Sequence, residues 1–252
     1  MRSLSSFITL PSALIAALAG CSAPAGAQDE LASDSTDQAA LVGTGDGYAY
    51  FGIAADLRKC PSPTCGGWFL TQLNRPFTRC HDGKFATSCY TPVLDWTNTG
   101  LSDTQRAAML DACNQAAQST GVYAIVRGQF ARTNSTPQPS LGRFVISEAW
   151  VAEGDVASDG AFVRVVDNGL RCFAAPCPSL TETTLNMGRT ADIAGVDWVP
   201  SGMTEAQIEE CTQDLFAPDG LLVAGDRYMM TENGTTAKGR TVTNAFQRLT
   251  PQ

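Results

Sequence analysis

The sequence predicts an α+β protein of two tandem βββαββ modules, residues 48–151 and 152–252, each an antiparallel sheet with one packed helix and disulfide staples. Three observations predict it: an internal repeat, one order of apolar patterns in both copies, and cysteines at matching places. Asp56-Leu57-Arg58-Lys59-Cys60 resembles Asn168-Gly169-Leu170-Arg171-Cys172. Cys60, Cys65, Leu73 and Asn74 recur at an offset of 112 as Cys172, Cys177, Leu185 and Asn186. Asp95-Trp96, Gly100 and Gln105 recur at an offset of 102 as Asp197-Trp198, Gly202 and Gln207. The difference of ten is an insertion in the first copy that carries Cys80 and Cys89. Self-similarity of this kind marks a duplicated supersecondary unit.

The same elements occur in both copies. Tyr48–Leu57 and Ala161–Val166 are β-rich, as are Trp68–Leu73 with Leu180–Leu185 and Tyr90–Trp96 with Ala191–Val199. Asn74 and Asn186 read as turn formers after a strand. Ser102 and Thr204 open helices, with Gln105 and Gln207 three residues on, the reciprocal arrangement that satisfies exposed N–H groups at a helix start. Ala108, Met109, Ala112, Cys113 and Ala116 form one apolar face, and Ile208, Cys211 and Leu215 the other. Gly121 and Pro218 mark the helix ends. Val122–Phe130 with Leu221–Met230, and Arg143–Val151 with Thr241–Leu249, complete the strands.

With 44% hydrophobic and 17% charged residues, the bulk of the chain buries a core. Its net charge of −8 makes nucleic acid an unsuitable partner, since phosphate contacts need clustered cations. Arg2 and the apolar run Phe7–Leu18 read as a secretory signal over residues 1–20. The run is too short for a bilayer-spanning helix and contains Pro11. Leu18-Ala19-Gly20-Cys21 resembles a bacterial lipobox. That resemblance implies cleavage before Cys21, a diacylglyceryl thioether on its thiol, and an acyl chain such as palmitate on the new amine. An ordinary cut near Ala25-Gly26-Ala27 is the alternative. The expected address is the bacterial cell envelope with the membrane as partner through Cys21, and Ser22 after the cysteine favours the outer membrane. Residues 21–47 then form a solvated tether, because the stretch from Ser22 holds five acids, no bases and few large apolar residues.

Nine cysteines suit an oxidising compartment. With Cys21 lipidated, Cys80 and Cys89 pair most simply with each other. Each copy keeps three: Cys60, Cys65, Cys113 and Cys172, Cys177, Cys211. The preferred scheme closes Cys60–Cys65 and Cys172–Cys177 and bridges the helices through Cys113–Cys211. The runner-up closes Cys65–Cys113 and Cys177–Cys211 and bridges Cys60–Cys172. Zinc is disfavoured, because thiols in an exported protein oxidise and His81 is the single histidine.

No catalytic, metal or cofactor-binding residue is assigned, and no cofactor is expected. His81 lies in the turn Cys80-His81-Asp82-Gly83-Lys84 and reads as solvated. There is no phosphate loop. Asp167-Asn168-Gly169 and Asp219-Gly220 lack a calcium ligand series, so they are turns. Glu209-Glu210 reads as a solvated helix face. Asp95-Trp96 and Asp197-Trp198 read as core tryptophans whose Asp bonds the next turn, the sharper alternative being a paired aromatic–acid recognition site. The rings KCPSPTC and RCFAAPC read as staples of strand ends, or as rigid loops presented to a protein partner.

The stretches LRKCPSPTCGGWFLTQLNR, TRCHDGKFATSCY, FVISEAW and LRCFAAPCPSLTETTLN resemble an uncharacterised domain of bacterial lipoproteins, over nearly all of residues 48–250. The resemblance implies an envelope-exposed, cysteine-containing module with no assigned activity. The expected function is a non-enzymatic envelope lipoprotein acting as a binding or structural module, with an envelope protein or glycan as partner. The alternatives are a surface protease inhibitor presenting the small disulfide loops and a histidine-independent carboxylate hydrolase, whose paired acids would need a suitable separation.

Overall fold

The structure, a computed structural model, describes residues 47–131 and 141–251. The signal segment, Cys21 and the tether as far as Asp46 lie outside the described residues.

The chain opens with the antiparallel pair β1 (Ala49–Ala55) and β2 (Trp68–Gln72). A small hairpin, β3 (Thr78–Arg79) and β4 (Phe85–Ala86), precedes β5 (Cys89–Thr91) and β6 (Leu94–Asp95). Helix α1 (Asp103–Gln118) leads into β7 (Ala124–Ala131) and β8 (Arg143–Ala152). Then come β9 (Ala161–Asp167), β10 (Leu180–Thr184), β11 (Thr190–Ile193) and β12 (Val196–Asp197). A 3-10 turn, Val199–Ser201, leads to α2 (Glu205–Asp214). The chain ends with β13 (Leu221–Gly225), β14 (Arg227–Glu232), β15 (Thr235–Thr241) and β16 (Asn244–Arg248).

Both helices start as their sequences dictate. Ser102 and Thr204 are the N-caps, and each exchanges reciprocal bonds with the Gln three residues on. The same glutamines then reach across the molecule. Gln105 Nε2 donates to the Thr250 carbonyl beyond β16, and Gln207 Nε2 to the Glu153 carbonyl beyond β8, both at 2.6 Å.

The expected pair of tandem βββαββ modules, each with its own sheet, is not what forms. One eleven-stranded, mostly antiparallel sheet runs β11-β10-β9-β13-β16-β8-β7-β1-β2-β5, with β6 beside β8. The cause lies at the seam. β16, and the part of β8 beyond its pairing with β6, would each be a bare edge of a separate sheet, and an edge presents unpaired N–H and C=O groups. Instead they pair with each other, setting Trp150 against Arg248 and Ala152 against Phe246. The element order also departs from βββαββ in both halves. The predicted run Leu221–Met230 breaks at Gly225, where a Cβ would stand 1.8 Å from the Thr241 carbonyl oxygen. β14 therefore leaves the large sheet and joins β15 and β12 in a three-stranded one.

Three apolar clusters hold the fold. One places Met109 and Cys113 of α1 on Phe51, Leu70, Val126, Phe144 and Ile146. A second places Cys211 of α2 and the following Leu215 on Val163, Val165, Leu221 and Val223. The third uses residues from both halves, with Leu73, Ile125 and Trp150 packed against Leu185, Leu222 and Phe246.

Around this third cluster the sheet curls, and two asparagines close it. Asn186 Oδ1 accepts from Tyr50 N at 2.8 Å, while its Nδ2 donates to the carbonyls of Tyr50 and Leu73 at 2.7 and 2.9 Å. Reciprocally, Asn74 Oδ1 accepts from Phe162 N at 2.9 Å and Nδ2 donates to the carbonyls of Phe162 and Leu185 at 2.7 and 3.0 Å. Four strands separate β1 from β9 in the sheet, so bonds between them require that it bend round on itself. Both asparagines have left-handed backbones, φ 58° and 62°, a conformation that Asn tolerates better than most residues. The turns expected at Asn74 and Asn186 are present, and their side chains do more than turn the chain.

Candidate functional site

Disulfides join Cys60–Cys65, Cys80–Cys89 and Cys172–Cys177. The expected Cys113–Cys211 bridge is absent, and so are the three bonds of the runner-up scheme. Cys113 and Cys211 are fully buried free thiols, each under its own helix in a separate apolar cluster. The two thiols pack in different apolar clusters and do not meet. Burial pushes the Cys113 thiol up to about 12, and burial with the nearby Glu153, Asp214 and Glu210 carboxylates does the same for Cys211. Such thiols are inert.

Both small rings leave the sheet at a strand end, and an aspartate–arginine clamp holds each root. Asp56 accepts from Arg58 Nε and Nη2 at 2.8 and 2.9 Å, and Asp167 from Arg171 Nη1 and Nη2 at 2.9 and 3.0 Å. These arginine bonds hold both carboxyls below the usual range. Each ring also carries a cis peptide before proline, Ser62-Pro63 and Ala175-Pro176.

Beyond the clamps the rings diverge. Beside the first, the Arg58 guanidinium lies 5.0 Å from the Phe69 ring centre and 5.6 Å from that of Tyr90, while the Tyr90 hydroxyl donates to the Pro63 carbonyl at 2.7 Å. The ring tip itself is Pro61, Ser62, Pro63 and Thr64. The adjoining groove, about 680 Å³, is lined largely by small residues such as Ala54, Ala55, Ala116, Ala117, Ser119 and Gly121.

Beside the second ring the surface is apolar and open. Phe173 at its tip is fully exposed, and Val199, Phe216 and Leu170 are 87%, 62% and 46% exposed. Leu170 and Phe216 line a groove of about 470 Å³ together with Cys172, Leu180, Trp198 and Leu215, among others, and Phe173 and Val199 adjoin it as the chain neighbours of Cys172 and Trp198. The elements place them there for local reasons. Phe173 is held out by the closed ring, Trp198 and Val199 sit where β12 gives way to the 3-10 turn, and Phe216 follows the end of α2. Asp197 Oδ1 accepts from Val199 N at 3.0 Å, fixing this turn.

Asp95 Oδ1 accepts from Thr97 N and Oγ1 at 3.0 and 2.6 Å, and Arg143 pairs with it at 2.9 Å, so the Thr97 bonds and then Arg143 lower its carboxyl. Both Asp-Trp pairs thus bond the following turn. Trp96 and Trp198 are half-buried against their clusters, and each lines a surface groove. His81 sits in the turn between β3 and β4. Glu182, fully buried on β10, bonds Arg240 and Arg227, and Arg240 Nη1 donates to the Gly225 carbonyl at 2.6 Å. Although burial pushes Glu182 up, the two arginines hold it below the usual range, as a locked structural ion rather than an acid for chemistry. Among the described residues no three metal-ligating side chains gather.

Sequence reasoning missed the apolar surface because Phe173, Val199 and Phe216 lie far apart in the chain and show no common period. The one legible signal was the contrast between Pro-Ser-Pro-Thr in one ring and Phe-Ala-Ala-Pro in the other.

A family model described as a domain of unknown function, DUF6748, matches residues 49–250. No curated protein and no solved structure matches the chain.

Proposed function

This chain belongs to the DUF6748 family, and we propose that it is a bacterial envelope lipoprotein, anchored through Cys21, that works without catalysis by docking a protein partner on the surface around its second disulfide ring. The exposed Phe173, Val199 and Phe216 beside the Trp198 groove carry this reading. Isolated exposed apolar residues need no explanation, but a group round a groove marks an interaction site. A closed ring also presents its tip with little entropy left to lose on binding.

The anchor rests on the sequence pattern Leu18-Ala19-Gly20-Cys21 and the acidic stretch after it. An internal duplication is part of the proposal, supported by the rings, capping boxes and asparagine closures at the offsets seen in the sequence. After such a duplication the first ring kept a structural role and the second acquired a docking one.

A photo-crosslinking residue at position 173, compared with one at position 62 in the first ring, tests the docking reading in intact cells. A discrete protein adduct from 173 alone is expected; equal adducts from both positions, or none, would refute it. Cys21→Ala tests the anchor separately, by moving the protein from the membrane fraction to the soluble one.

Phe173 at the tip of a disulfide ring also favours a second reading, a surface inhibitor of proteases that accept an aromatic side chain. Inhibition of a chymotrypsin-like protease that disappears in Phe173→Ala distinguishes it.

A further inference from the structure

Resting on the docking surface just proposed, we infer that its occupant is a cationic amphipathic segment of another protein, with apolar side chains for the groove and Lys or Arg beside them. Of the ionic residues lining the groove, Asp167 and Arg171 neutralise each other. The rest of the rim is acidic. Glu205, Glu209, Thr212 and Phe216 follow one another at helical spacing, so the stripe that brings Thr212 and Phe216 to the groove carries two exposed carboxylates in the turns before them. From Glu205 to Asp219 the chain has five acids and no Lys or Arg; Asp219 pairs with Arg248, and Glu210 and Asp214 lie near Glu153, which leaves Glu205 and Glu209 as the carboxylates of the rim stripe. The C-terminal end of α2, with its partial negative charge, also ends at the groove.

The first ring shows the complementary arrangement within the same molecule. There, a guanidinium from the chain itself, Arg58, covers the aromatic faces of Phe69 and Tyr90. At the second ring Arg171 instead bonds Asp167 and the Leu170 carbonyl. Among the described residues no cation stacks on Phe173, Trp198 or Phe216. A partner's Arg or Lys would stack on the groove's own Trp198 or Phe216, since a cation over an aromatic face is attracted by its quadrupole; the residues standing where Phe69 and Tyr90 do, Thr181 and Asp192, offer no ring.

Charge also removes the other occupants. A second copy of this chain would set acidic rim against acidic rim at a net charge of −8 each. The protein's own tether between Ser22 and Gly47 has five acids and no base, and an anionic bilayer is repelled in the same way.

Selection of displayed random peptides on the full-length protein, with counter-selection on the surface double variant Phe173→Ala/Phe216→Ala, tests this inference. The expected outcome is enrichment of peptides of net positive charge with aromatic or aliphatic residues, retained by the wild type only. For the best of them, Glu205→Lys/Glu209→Lys should weaken binding about tenfold at low salt, with the difference fading toward 0.5 M salt as rim charges are screened. Wild-type-specific peptides that are neutral or acidic would overturn the cationic partner while leaving the docking surface standing. Peptides held equally by wild type and double variant, or no enrichment, would overturn both.

Discussion

Replacing Asn186 by alanine should open the curled sheet, and the structure allows the cost to be worked out. The carboxamide is buried and makes three bonds, one from Tyr50 N and two to the carbonyls of Tyr50 and Leu73. Each backbone group left without a partner costs about 1 kcal/mol or more where water cannot reach it. Alanine at φ 62° adds about 1 kcal/mol of left-handed strain. The expected loss is therefore about 3–5 kcal/mol, a large fraction of the 5–15 kcal/mol or so that holds a typical domain. For a folded part of this size that lowers Tm by on the order of 10 °C. Thermal and urea unfolding followed by tryptophan fluorescence reads it. Asn186→Gly removes the same bonds without the strain and should recover about 1 kcal/mol. The double variant Asn74→Ala/Asn186→Ala should lose less than the sum of the single losses, because either opening alone releases the strands that the other clamp holds. Asn186→Ala within about 0.5 kcal/mol of wild type would refute the closure.

Four further outcomes follow from the same geometry. Cys113 and Cys211 should resist alkylation of the native protein at pH 8 and react together on unfolding, and peptide mapping should find the other described cysteines in their three rings. Reduction should cost about 2–3 kcal/mol per ring by loop entropy, with no larger loss from a bridge between halves. Glu182→Ala, which strands the buried Arg240, should destabilise by about 3–5 kcal/mol. The wild-type contribution of Glu182, whose folded-state pKa is lowered, is present above the ordinary glutamate value and is lost as pH falls through the lowered one, visible as a change in acid unfolding. Glu153 and Asp214 behave oppositely: burial and then Glu210 raise both, so their share of stability falls as pH rises from the ordinary carboxylate range through the raised values. Glu210→Gln should accordingly stabilise by about 0.2–0.5 kcal/mol at pH 7, as expected from relieving a like-charge i,i+4 pair, and the gain should vanish at acid pH; a melting temperature unchanged at both would contradict this.

Local chemistry was legible in the sequence and its consequences at long range were not. Ser102 with Gln105 and Thr204 with Gln207 announced the helices, and consecutive cysteines announced the rings, because each involves partners a few residues apart. The pairing of β8 with β16 left no such mark: two half-buried strands with the same alternation fit separate sheets or a shared one equally well. Only the penalty of bare edges decides, and that penalty belongs to the whole sheet. The break at Gly225 was hidden for a related reason. Its need for a missing side chain comes from Thr241, a residue on another strand. The aromatic surface round the second ring was invisible because exposure is a property of the assembled neighbours. Asn74 and Asn186 were half legible, as turns whose side chains find partners more than eighty positions away.

The order in which the cysteines bond has a consequence for biosynthesis. Each of the three rings joins two cysteines that are consecutive in the chain. A thiol oxidase acting on the chain as it emerges could make all three correctly by linking each cysteine to the next to appear, and would need no isomerase to reshuffle them, provided the Cys21 thiol were blocked by acylation and Cys113 were hidden in time. Helix α1 must therefore dock before Cys172 arrives, which makes early folding of the N-terminal half the guard against mispairing.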